Sequence, residues 1–180
     1  MSTTSARTPD PVRSLIEPPQ GTALAVSYLR VSTKEQAEKG GTDEGFSIPA
    51  QREANRRFGF SADKTLKLAQ ALYERHKAIT YPRSDCGYLP LSQHSEAPAI
   101  LAALGRADAS LAALQPYLEP QRRSRAWNDA KVSAHHGIIP TGAGKDVGQL
   151  NGKHRAVYTL IRARYLAQFL PNHEYDRTQA

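Results

Sequence analysis

The spacing of apolar and polar residues divides the chain into a polar leader, one strand-like stretch and a series of helices. Residues 1–20 hold four prolines, ending in Pro18 and Pro19, among serines and threonines. Such a composition buries too little apolar surface to order itself, so a disordered leader is expected over 1–21. Residues 22–31 alternate β-forming with small side chains and predict a buried strand. Gly40, Gly41 and Gly45 then mark a loop before a short helix at 49–57. Ser61 is an N-cap residue with Asp63 in the favourable first turn; Ala62, Leu66, Ala69, Leu72 and Tyr73 share one face of a helix ending near His76. Residues 78–81 predict an extended segment, because Pro82 disfavours helical geometry at the residue before it, and Pro90 adds a further break. Alanine- and leucine-rich helices are expected at 97–104 and 109–114, parted by Gly105 and stopped by Pro116 and Pro120. A last helix at 152–170 aligns Val157, Leu160, Ile161, Tyr165 and Phe169, with Pro171 as its stop.

Length and composition narrow the class. The chain has 180 residues, 39% of them hydrophobic, enough for one globular domain or two small ones. Uncharged stretches such as 20–29 and 109–118 are ten residues long, about half of what a helix needs to cross a bilayer. No membrane span or secretory signal is read, and a cytoplasmic location is expected. The single cysteine, Cys86, can form neither an internal disulfide nor a zinc site with other cysteines, which fits a reducing compartment. Its neighbour Asp85 raises rather than lowers a thiol pKa, against a reactive role.

The charge directs attention to a polyanion. The formal net charge is +7 and the pI is near 9.7. Residues 1–57 carry +1 of this and 58–180 carry +6. Between Arg122 and Arg164 stand nine basic residues and two acids, Asp129 and Asp146. Arg122, Arg123, Arg125, Lys131, Lys145 and Arg155 are therefore candidate DNA contacts, with a solvated basic face as the plainer alternative.

Two short strings carry candidate chemistry. The first is Tyr28, Leu29, Arg30, Val31, Ser32, Thr33, then Gln36, and later 45–51, ending in Gln51. It resembles the start of the serine recombinase catalytic domain, the resolvase and integrase family. The resemblance implies Ser32 as a nucleophile forming a 5′-phosphoserine, Arg30 as its phosphate-holding partner, and Gln36 and Gln51 as supporting polar residues. A serine hydroxyl is a weak nucleophile, and a guanidinium two residues away on the same strand side can neutralise the pentavalent transition state. The family's further active-site arginines find no counterparts.

The second string is Ile79, Thr80, Tyr81, Pro82, Arg83, Ser84, Asp85, accompanied by 60–66 upstream and by Ala134, His135, His136, Gly137, Ile138, Ile139, Pro140, Thr141 downstream. These three ordered motifs are similar to the central, tyrosine-bearing part of a type IA DNA topoisomerase, on the topoisomerase III side of the family. The resemblance implies that Tyr81 attacks one DNA strand to give a 5′-phosphotyrosine, that Arg83 positions the scissile phosphate and that His135 stands near the site. A phenol of pKa about 10 is a poor nucleophile at neutral pH, so a guanidinium and a proton-carrying imidazole are what this chemistry asks for. Read plainly, Tyr81 is a buried aromatic beside Pro82. The family implies magnesium in an acidic Asp-x-Asp-x-Glu site, and this chain has no such run.

Other motifs are weaker. Residues 142–145 look like part of a phosphate-cradling loop but lack the upstream glycine, and Asp146 stands where a hydroxyl residue is needed. His135, His136 and His154 have no carboxylate or cysteine at ligand spacing, so no metal site is assigned. The expected fold is α+β and predominantly helical: a partial tyrosine domain of the type IA topoisomerase kind over 58–180, preceded over 22–57 by a strand–loop–helix remnant of a resolvase-like α/β domain. The expected function is DNA strand breakage and rejoining through Tyr81, without activity in the lone chain. The alternatives are a serine recombinase acting through Ser32 and a DNA-binding fusion fragment without catalysis. Expected partners are single-stranded DNA and a separate chain supplying the metal-binding domain, with no membrane.

Overall fold

A computed structural model describes residues 47–84, 86–144 and 147–171. The strand expected at 22–31 and the glycine loop after it lie outside these residues, as does the leader.

The first helix, α1 (Ser47–Phe58), runs through residue 57 without a break. Its last turn is stabilised by Arg56 and Arg57, which both donate to Glu53, Arg56 at 2.8 Å. Gly59 ends the helix with φ of +63°, a left-handed conformation that costs a residue without Cβ nothing. Ala54 is fully buried, so this helix is packed into the body of the protein.

Ser61 then caps α2 (Ala62–Glu74), its hydroxyl accepting from the Lys64 amide at 3.2 Å. This is the predicted start, two residues longer in expectation than in fact at the other end. Ala62, Thr65, Ala69 and Leu72 form the buried face. Lys77, at φ +50°, turns the chain out of the helix.

Two expectations give way in the middle of the chain. The helix α3 (Ala97–Ala107) passes through Gly105. The Gln115 side chain lies over Gly105, its Nε2 2.5 Å from where a Cβ would stand, and the glycine does not break the helix. Asp108 ends α3 instead, in extended geometry, and accepts from the Ser110 amide at 2.9 Å. Residues 109–114 are then only a 3-10 turn at Ala109–Leu111 followed by non-helical turn, with Leu111 and Leu114 buried.

The last helix, α4 (Gly152–Leu166), is capped by the Asn151 side chain on the His154 amide and continues as a 3-10 turn at Ala167–Phe169. Val157, Tyr158, Ile161, Tyr165 and Phe169 pack with Leu72, Ile100, Leu104 and Trp127 in one core, with α4 against α2 and α1. Tyr158 and Tyr165 have hydroxyls raised above the usual phenol range, chiefly by burial.

The β component is reduced among the described residues to two isolated bridges, Ile79 with Pro140 antiparallel and Leu89 with Trp127 parallel. The segment 78–81 is extended as expected, but it meets a single partner rather than building a ladder. Proline at 82 and 140 removes the amides that further pairing would need.

Candidate active site

The bridge between Ile79 and Pro140 brings together two strings that are about 60 residues apart in sequence. Thr80 donates its amide to the Ile139 carbonyl at 2.9 Å, and its hydroxyl accepts from the Ile139 amide at 3.0 Å. The Thr141 amide donates to the Ala78 carbonyl at 3.0 Å. Farther along, the buried Ser84 hydroxyl donates to the His135 carbonyl at 3.2 Å and accepts from the Cys86 amide at the same distance. Side-chain hydroxyls thus replace the ladder that proline forbids, and they fix residues 79–84 against 135–141 at both ends.

Tyr81 stands between those fastenings. Its neighbours Pro82 and Ser84 are buried, whereas Tyr81 is 37% exposed. The plain reading of this tyrosine as a buried aromatic therefore fails. Its ring lies 4.7 Å from that of His135, tilted at 50°, and meets Tyr73 of α2 edge-on at 5.7 Å and 82°. Arg83 is exposed beside it. The arrangement holds a phenol with its ring fixed on two sides, next to an imidazole and on the same loop as a guanidinium. Chemically it can present an oxygen nucleophile to an anion in solvent.

A second histidine is tied more firmly. The Gly137 carbonyl accepts from His136 Nδ1 at 2.8 Å, which leaves Nε2 to accept from the Gln93 amide at 2.9 Å. Gly137 itself packs under the Tyr88 and Cys86 carbonyls, each within 3.5 Å of where a Cβ would stand. The Cys86 thiol is buried among backbone carbonyls and has no reactive setting.

The candidate DNA contacts have separate fates. Arg123 and Arg125 are exposed. Arg122 pairs with Glu119 at 3.2 Å. Lys131 donates to the Tyr88 hydroxyl at 3.0 Å and lies over that ring. Arg155 donates to the Leu150 and Gly148 carbonyls, closing the loop before α4. Lys145 lies outside the described residues. Arg162, one of the nine basic residues of the run, is buried and bound to Asp108 at 2.6 Å. It is a core residue, three residues before Tyr165 and seven before Phe169, which are buried as well.

Of the recombinase-like residues, Arg30, Ser32 and Gln36 lie outside the described residues, and Gln51 sits on α1. Magnesium does not fit the described site: no three His, Cys, Asp or Glu side chains converge among the described residues. Tyr73, Thr80 and Ser84 were missed as supports of Tyr81. The hydroxyls flanking the Tyr-Pro-Arg string were the available signal for two of them, while Tyr73 was read only as part of an apolar face.

A family model described as DNA topoisomerase matches residues 23–180. Among curated relatives, DNA topoisomerase 3 of Vibrio cholerae is 41% identical over 145 residues, 78% of this chain and 22% of the relative. DNA topoisomerase 3 of Pasteurella multocida is 43% identical over 135 residues, 74% of the chain and 21% of the relative. DNA topoisomerase 3 of Salmonella typhimurium is 42% identical over 151 residues, 83% of the chain and 22% of the relative. The chain thus spans about a fifth of the length of these relatives. Among the described residues no helix is long and apolar enough to cross a membrane.

Proposed function

Because the chain belongs to the DNA topoisomerase family, in its type IA, topoisomerase 3-like branch, we propose that it carries the tyrosine half of a site that cuts and rejoins one DNA strand. The observation behind this reading is the placement of Tyr81, exposed between two hydroxyl fastenings with its ring on His135. In the proposed step the Tyr81 Oη attacks phosphorus and the P–O3′ bond breaks. A 5′-phosphotyrosine forms, the phenolic proton leaves to a base, and the 3′-oxygen departs as the hydroxyl that later reverses the reaction. Arg83 neutralises charge on the phosphoryl oxygens, and His135 relays the proton. Magnesium chemistry belongs to acidic residues outside the described site, and no step here runs through it.

The described residues carry the tyrosine side of this constellation; an acidic domain from a second chain is the proposed partner, single-stranded DNA the substrate and the cytoplasm the place. Oriented attack requires groups held within about 0.5 Å of productive geometry, and binding energy does not replace a missing side. The recombinase-like string at 24–57 is a separate proposal that rests on its residues alone. Both are tested by incubating the chain with single-stranded oligonucleotide, with and without a separately expressed acidic domain from a topoisomerase 3 relative, and running denaturing gels. We expect a covalent adduct only in the mixture, lost in Tyr81→Phe and kept in Ser32→Ala. An adduct that survives Tyr81→Phe and disappears in Ser32→Ala overturns the tyrosine reading. DNA binding with no adduct in any mixture favours a non-catalytic binding fragment.

A further inference from the structure

A line of aromatic and cationic side chains leaves the site along the end of α2 and crosses to the start of α4. Tyr73 touches the Tyr81 ring, and Lys77 Nζ lies 5.7 Å above the Tyr73 ring. His76, just past the end of α2, has its ring 5.5 Å from that of His154 in the first turn of α4. Arg75 is exposed next to His76 and acts on His154 through its charge. The acid in this turn, Glu74, is held by the Gln70 amide at 2.5 Å. None of these residues belongs to the basic run between Arg122 and Arg164 except His154, which is neutral in that tally.

We infer that Tyr73, His76, Lys77 and His154 form a strand-contact surface that takes single-stranded DNA immediately beside the scissile position, with base on aromatic ring and phosphate on the histidine pair. The inference rests on the topoisomerase reading and adds to it where the uncut part of the strand lies. Aromatic faces interleaved with cations suit single-stranded nucleic acid because every base has a π-face and every link a phosphate. The histidine pair makes the contact sensitive to pH. Burial lowers the His154 pKa, and the charges of His76 and Arg75 lower it further. A phosphate held beside both rings offsets that repulsion, so binding takes up protons and tightens as pH falls.

The test is fluorescence anisotropy with a short 5′-labelled oligothymidylate at low salt, using the whole chain. We expect binding about fivefold or more tighter at pH 6 than at pH 8, and the double variant His76→Asn, His154→Asn to lose most of that dependence and about tenfold in affinity at pH 6. His135→Asn controls for the imidazole at Tyr81 and should leave a pH dependence behind. Ring proton signals of His76 and His154 should also shift when oligonucleotide is added, a readout that needs no substitution. Unchanged affinity and pH dependence in the double variant, or histidine signals that stay in place, overturn this surface. If Arg122→Glu, Arg123→Glu and Arg125→Glu together abolish such binding, the DNA reading stands without it. No binding by the unmodified chain at low salt overturns the DNA reading and this surface with it.

Discussion

Tyr165 and Tyr81 are the same side chain put to opposite ends, and so are Arg162 and Arg83. Tyr165 on α4 is sealed in the core, its hydroxyl pushed up by burial and without a hydrogen-bond partner. Tyr81 is held just as definitely, by rings on two sides and hydroxyl fastenings before and after it, yet it faces solvent. Arg162 spends its charge on Asp108 inside the protein, whereas Arg83 stays exposed. The core immobilises its groups through close packing, and its rigidity comes from removing water. The Tyr81 loop gains rigidity without losing water, from a few directed hydrogen bonds between segments distant in sequence. The proposed chemistry on DNA needs the second arrangement.

The sharpest way to break this comparison is to truncate each side. Phe169 is fully buried against Tyr165, Trp127 and His94. Phe169→Ala should cost about 3–5 kcal/mol, read as a shift in the urea midpoint. Tyr81→Phe keeps both ring contacts and should change stability by less than about 0.5 kcal/mol while removing the adduct. Equal losses of stability in the two variants would show that Tyr81 is a core residue after all.

A smaller effect separates the two arginines. Burial by itself raises the Asp108 carboxyl, but the hydrogen bonds from Ser110 and Arg162 outweigh it and bring the carboxyl down to about 2. A carboxyl depressed on folding adds stability above its unfolded value near 3.8, and that stability is lost as pH falls from about 4 through 2. With a third of the side chain in solvent, the amount is about 1 kcal/mol. Asp108→Asn should therefore flatten the acid limb of the stability profile. Arg162→Met should cost about 2 kcal/mol at neutral pH, because Asp108 loses its partner in a half-buried place. Arg83→Met should leave the whole profile unchanged.

The two regions also differ in how far the sequence revealed them. Local rules located what local chemistry decides: Ser61 as a cap, the apolar face of α2, and the start of α4. The Tyr81 string and the histidine string were legible as motifs, although nothing in either predicted the bridge that joins Ile79 to Pro140. Such pairing depends on a contact partner some 60 residues away, and periodicity within a short window cannot carry it. Gly105 fails as a helix break, with the Gln115 side chain lying against it, and Asp108 at the end of α3 takes Arg162 of the basic run into the core. The run of basic residues merges side chains that folding treats differently, Arg123 and Arg125 exposed and Arg162 buried on Asp108.

The finest test of the comparison is Ser84. Its hydroxyl bonds both the His135 carbonyl and the Cys86 amide, so it joins the loop carrying Tyr81 to the segment carrying His135. Ser84→Ala removes two neutral hydrogen bonds and leaves a buried amide and a carbonyl with less than their share, a loss of about 1 kcal/mol. In the core that would be a minor defect. Here it loosens one of two fastenings, and in the proposed cleavage the Tyr81 phenol and the His135 imidazole need a shared geometry far more than they need global stability. Hydrogen exchange at Cys86 should therefore quicken by about fivefold, while exchange on α4 changes no more than the global loss requires. In the complemented cleavage assay, adduct formation should fall by more than the unfolded fraction accounts for, since a displacement of about 1 Å can cost on the order of a hundredfold in rate. Ser84→Thr, which keeps the hydroxyl, should recover most of it. Loss of adduct that only tracks stability, with no recovery in Ser84→Thr, would mean that Tyr81 is positioned by Tyr73 and His135 packing alone.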